Sequence, residues 1–183
     1  MRSNAETVCA AYEALVHDAG ALVSPLTDTQ VNFQPGQGTR WSVAQNLDHL
    51  VRANASYLDA MRPAIEASRA AGRRGQGDLE PGLPGRWFLS ALEPPPRMRV
   101  KAPPAIQPAS TFTAQGVLDA FAASMAAARH LLLASADVDL NTTRFQNPFL
   151  PLLKVRASTG FLILAAHGRR HLWQARQALP PSR

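Results

Sequence analysis

The sequence predicts an all-α protein, an up-down four-helix bundle with a long Pro/Gly-rich connection between helices two and three. Three observations predict it. Apolar residues recur at steps of three and four in four long segments, no segment alternates convincingly with period two, and capping residues or prolines bound the segments. A length of 183 residues, 46% of them apolar, suits a single domain over 1–183 with one core.

Helix one covers about residues 3–24. Val8, Tyr12, Leu15, Ala19, Leu22 and Val23 share one face, and the helix stops at Ser24-Pro25 because a residue before proline is pushed out of the helical region. Residues 27–40 carry Pro35, Gly36 and Gly38 among polar neighbours and read as a loop without a regular element. Helix two opens at Trp41-Ser42-Val43-Ala44-Gln45, where Ser42 and Gln45 form a capping box, and runs to about Ala70. Its main stripe is Leu47, Leu50, Val51, Asn54, Leu58, Met61 and Ile65; Pro63 should kink it or end it early.

Residues 71–111 hold eight prolines and five glycines, too many for a long helix or a central strand. Such a stretch is a lid, a binding loop or a mobile linker. Arg86-Trp87-Phe88-Leu89 argues that it packs back on the body, since that much apolar surface is poorly placed in water. Helix three runs from Thr113, its N-cap, to Ser135, with Leu118, Phe121, Met125, Ala128 and Leu132 on one face. Asn147-Pro148 and Pro151 delay helix four, which occupies Arg156 to Leu179 and is closed by Pro180-Pro181.

Composition narrows the function. No apolar run approaches the ~20 residues of a bilayer span, and the N-terminal segment lacks the pattern of a signal peptide, so a cytoplasmic protein with no membrane partner is expected. Cys9 is the only cysteine, which excludes a disulfide framework and a thiolate zinc cluster; any metal must be held by His and carboxylate. The net charge of +6 is supplied mainly by scattered arginines, a pattern of solvated surface, then of an anionic substrate, and least of DNA binding.

The most informative stretch is Ala166-His167-Gly168-Arg169-Arg170-His171-Leu172-Trp173-Gln174. Histidines at i and i+4 lie one turn apart on one side of a helix, so both rings can reach one metal ion. Gly168 follows the first of them where a zinc protease would carry Glu, so that activity is discounted. An HxxxH pair alone is weak, because imidazoles often only hydrogen-bond within a core. Among the other histidines, His17 and His130 fall opposite their apolar stripes, where solvated side chains belong. His49 also lies off its main stripe, beside Gln45 and Arg52, but the small Ala53, Ser56 and Ala60 continue its side and would let a second helix approach.

With these residues in place the chain resembles the DinB/YfiT-like metal-binding four-helix bundle proteins. Trp41-Ser42-x-x-Gln45-x-Leu47-x-His49-Leu50 is similar to the family's WSxxE-x-LxHL, and His167-x-x-x-His171-Leu172-x-Gln174 matches its HxxxHxxQ. The resemblance implies that His49, His167 and His171 bind one divalent metal, commonly nickel or zinc, with solvent in the remaining positions. It further implies a thiol-dependent transferase or isomerase with a low-molecular-weight thiol cosubstrate, or a hydrolase. The chain departs from the pattern at Gln45, where many members have Glu, and in the longer 71–111 insertion.

Three functions are therefore weighed. First is a metal-dependent enzyme in which the ion activates a thiol or water against an electrophilic small molecule, with Arg52 or Arg170 placed to hold a carboxylate. Second is a non-catalytic metal- or small-molecule-binding module, and third a nucleic-acid partner, which the scattered basic residues disfavour. No residue is assigned as catalytic. Cys9 is discounted as a nucleophile because nothing near it in sequence lowers its pKa. Helix faces left apolar admit a homodimer.

Overall fold

The computed structural model describes residues 3–95 and 102–181. It is mainly helical: α1 (Ala5–Val23), α2 (Asp28–Val31), α3 (Val43–Ala70), α4 (Gly82–Leu92), α5 (Ala114–Ala134), a hairpin of β1 (Arg144–Gln146) and β2 (Lys154–Arg156), and α6 (Ala157–Arg176), with one 3-10 turn at Pro104–Ile106. Local chemistry sets the helix starts. The Asn4 side chain accepts from the Thr7 amide at 2.8 Å, Thr113 caps α5 through the Gly116 amide, and Ser42 and Gln45 exchange both bonds of a capping box.

The four long helices are those expected, and they form a ring in the order α1, α5, α3, α6. α3 packs against α5 and α6, α1 packs against the same two, and α5 barely touches α6. The consecutive pairs α1/α3 and α5/α6 thus face each other across the core, unlike the side-by-side neighbours of a simple up-down path. The connections 24–42 and 135–156 are long enough to cross the bundle end. Tyr12, Leu47, Phe121, Met125, Phe161 and Leu164 fill the centre, and the buried Tyr12 hydroxyl donates to the Phe161 carbonyl at 2.7 Å, tying α1 to α6.

Three local expectations are corrected and one, at Pro63, is narrowed. The loop over 27–40 contains α2, a single turn closed by a capping box between Thr27 and Gln30. Pro63 does not end its helix early: α3 reaches Ala70, the end expected from the sequence, and Pro63 and Asp59, whose carbonyl loses its partner, both face solvent. The 71–111 connection contains α4, whose Pro84 sits in the first turn, where amides have no intrahelical partner to lose. Lastly, β1 and β2 form an antiparallel hairpin with Phe145 paired to Val155. Three residues per strand are too few for alternation to register in a sequence.

Much of the 71–111 connection is tied down; 96–101 lies outside the described residues. Leu79 pairs with Ser3 and Arg74 with Val138 as isolated bridges, while Arg69 and Arg74 both pair with Asp137. α4 lies on α6, with Phe88, Leu89 and Leu92 against the core and Trp87 exposed. Gly85 makes that approach feasible, since a Cβ there would stand 2.9 Å from Pro81 Cβ and 3.0 Å from Thr159 Cγ2. Among the described residues α5 alone is long and apolar enough to cross a membrane, with a mean hydropathy of 1.4. Alanines raise that value, and its Val117, Phe121, Met125 and Leu132 belong to the core.

Candidate metal centre

His49 stands on the second turn of α3, and His167 and His171 stand one turn apart on α6. Since α3 and α6 are ring neighbours, the three imidazoles meet at the helix–helix seam, with one candidate ligand atom from each lying within 4.8 Å of the others. His49 Nε2 is 3.4 Å from His167 Nε2, and the His49–His171 and His167–His171 ring centroids are 4.4 and 4.6 Å apart. Ala53, on the small side of α3, is fully buried. On the far side of α6, Gly168 receives Leu15 of α1: a Cβ there would lie 2.6 Å from Leu15 Cδ1. Close packing explains that glycine.

Two of the rings are fixed by oxygen acceptors. His49 Nδ1 is 2.8 Å from the Ile106 carbonyl, and His171 Nδ1 is 2.9 Å from Asn46 Oδ1. The Asn46 amide is oriented because its Nδ2 donates to the Ser42 carbonyl at 2.9 Å, leaving Oδ1 to accept. Neither oxygen can donate, so in both histidines Nδ1 carries the proton and Nε2 the lone pair. Acceptors of this kind set the tautomer and orientation of metal-binding histidines.

Burial sets the charge of the cluster. His49 is 3% exposed and His171 6%, whereas His167 keeps partial access to solvent. Desolvation lowers all three pKa values; for His167 the charges of His49 and Arg170 add to it and push the pKa down to about 3. At neutral pH the site therefore offers three uncharged imidazoles. The Trp41 ring stacks obliquely beside His49 and His171, at 4.8 and 5.9 Å between centroids.

The structure places the remaining candidates as follows. His17 and His130 are exposed, as expected. Gln45 is occupied structurally: besides capping α3 it donates to the Ala109 carbonyl at 3.3 Å and accepts from Gln34. Arg52 pairs with Asp48 at 2.7 Å, and the same carboxylate oxygen accepts from the Ala109 amide. Arg170 is buried on α6 and reaches the Ala91 carbonyl. Gln174 is half-buried. Cys9 is buried, and desolvation raises its pKa, against a nucleophilic role.

Sequence reasoning missed Asn46 and the Ile106 carbonyl. Asn46 lies three residues before His49 and so on nearly the same face of α3, but its burial, at 2% exposed, and its bond to His171 depend on the packed α6. Ile106 acts through its backbone, inside a proline-rich stretch, and no side-chain pattern announces it.

Fold and site together define a helical-bundle protein with a three-histidine cluster at the seam of two helices. The chain matches the family model of the DinB superfamily over residues 11–175, and it belongs to that superfamily. No curated protein and no solved structure gave a significant match.

Proposed function

We propose that His49, His167 and His171 hold one divalent metal ion and that the protein is a metal-dependent enzyme of the thiol transferase or hydrolase type. The convergence of the imidazoles carries this reading. Nitrogens sharing a tetrahedral ion at about 2.0–2.1 Å lie about 3.3 Å apart, and the His49 and His167 Nε2 atoms are 3.4 Å apart, long for a hydrogen bond between them. Uncharged rings, two of them held with Nε2 free to bind, suit such an ion.

A bound ion such as zinc or nickel would supply Lewis acidity, favouring the thiolate of a cosubstrate or lowering the pKa of water. The protein's own part is to leave that charge undiminished. All three ligands are neutral, the cluster contains no carboxylate, and the nearby Asp48 is engaged by Arg52 and Ala109. Arg170 adds positive potential at the rings, which favours an anionic substrate. With Asp48 engaged and no carboxylate in the cluster among the described residues, thiol chemistry suits the site better than water activation, because a thiol loses its proton far more readily.

A second reading, a non-catalytic metal- or small-molecule-binding module, is favoured by one observation: two of the three ligands are almost completely buried. Turnover separates the two. Protein loaded with zinc or nickel is assayed for consumption of a thiol with an electrophile, and for ester hydrolysis, beside His167→Ala. Metal-dependent turnover lost in the variant supports the enzyme; metal binding without turnover favours the module; unchanged metal content in His167→Ala contradicts both.

A further inference from the structure

Eight large apolar side chains are exposed among the described residues, and three of them, Leu150, Leu152 and Leu153, fall in four consecutive positions at the tip of the β1–β2 hairpin. Leu152 is fully exposed. The turn that presents them is ordered from within. Asn147 is buried and donates to the Tyr57 hydroxyl, while its Oδ1 accepts from the Phe149 and Leu150 amides at 2.9 and 3.0 Å. The Asn147 amide donates to the Leu153 carbonyl and the Leu153 amide to the Leu150 carbonyl. Pro148 and Pro151 have no amide hydrogen, so within 147–153 only the Leu152 amide lacks a partner among the described residues.

That economy of free donors is informative. A tip made to pair with another protein's backbone would present a row of unpaired amides, whereas here one remains, at Leu152, so the leucine side chains are what the tip offers to an apolar partner. The charges behind the tip point the same way. Arg144 and Lys154 lie on the outer face of the hairpin, both exposed and neither with an ion-pair partner among the described residues. Arg144 stands directly opposite Arg156 in register, a like-charge pair that is unfavourable in water. No Asp or Glu follows Asp139 in the sequence.

We propose that the β1–β2 tip inserts into the interface of an anionic lipid membrane, with Leu150, Leu152 and Leu153 among the acyl chains and Arg144 and Lys154 at the headgroups. Apolar insertion and attraction to acidic headgroups are the two contributions to peripheral binding. The expectation of no membrane partner rested on the lack of a spanning segment, which peripheral insertion does not need. The proposal is independent of the histidine site.

The test is co-sedimentation of the full chain with vesicles of phosphatidylglycerol and phosphatidylcholine, beside vesicles of phosphatidylcholine alone. We expect binding to the anionic vesicles, weakened by salt, reduced about tenfold or more in Leu150→Ser/Leu152→Ser, and reduced about fivefold for each of Arg144→Gln and Lys154→Gln. Circular dichroism of each variant should match the parent, and Leu152→Ser alone serves if the double variant misfolds. Absence of vesicle binding overturns the proposal, as does equal binding to neutral vesicles or full binding by the tip variants. So does a dimer that the tip variants dissociate, without vesicle binding, because the tip would then dock a second copy of the chain.

Discussion

Asn46→Ala probes how the site is held. The side chain is 2% exposed and makes two hydrogen bonds, to His171 Nδ1 and to the Ser42 carbonyl, each at 2.9 Å. The Ser42 carbonyl keeps a partner after truncation, because it also accepts from the Asn46 amide at 3.1 Å. The group left orphaned is the His171 N–H, and an unsatisfied buried donor costs about 1–3 kcal/mol. Metal-free Asn46→Ala should therefore unfold at lower denaturant by about that amount. Loss of a partner that orients a ligand should also lower metal affinity about 10–100-fold. Competition against a chromophoric chelator measures the affinity and urea unfolding the stability. Asn46→Asp should retain most of the affinity, since a carboxylate still accepts from Nδ1. Parent-like affinity in Asn46→Ala would refute the orienting role, and equal losses in Asn46→Ala and Asn46→Asp would assign the residue to packing.

Three further outcomes are expected. In Gly168→Ala the new methyl meets Leu15, itself 3% exposed, so overpacking of about 1–3 kcal/mol should outweigh the gain in helix propensity of about 1 kcal/mol; Leu15→Ala should relieve it, and strict additivity in the double-mutant cycle contradicts the contact. For metal-free protein, the three histidines have folded pKa values below the unfolded value of about 6.5. The unfolded chain then binds more protons below that pH, so stability is full above about pH 7 and falls through pH 6 and 5, continuing toward pH 3 for His167; a urea midpoint unchanged between about pH 7 and 5 would contradict this. Cys9, buried and with a raised pKa, should resist alkylation in the native protein and react readily in denaturant; rapid native labelling would contradict its placement.

The four long helices were legible because periodicity and caps agree: Ser42 with Gln45, and Thr113, mark starts that the structure keeps. The histidine trio was legible from the i, i+4 pair and the family-like sequence around His49. Hidden features depend on tertiary partners. α4 begins among prolines, and its place on α6 rests on Gly85 meeting Thr159, a contact far apart in sequence. The ring order of the helices follows from which faces interlock, as where Gly168 receives Leu15. Asn46 looks like an ordinary polar residue of a helix until α6 brings His171 within 2.9 Å. The hairpin is too short to show a period, though its prolines and leucines are plain in the sequence.

The central claim is that three histidines from two helices hold one metal ion. Metal content by plasma mass spectrometry on untagged protein, beside His49→Ala, tests it most directly. We predict about one equivalent of a divalent metal per chain, lost in the variant. No divalent metal in the parent protein, even after incubation with nickel and with zinc, would contradict the claim.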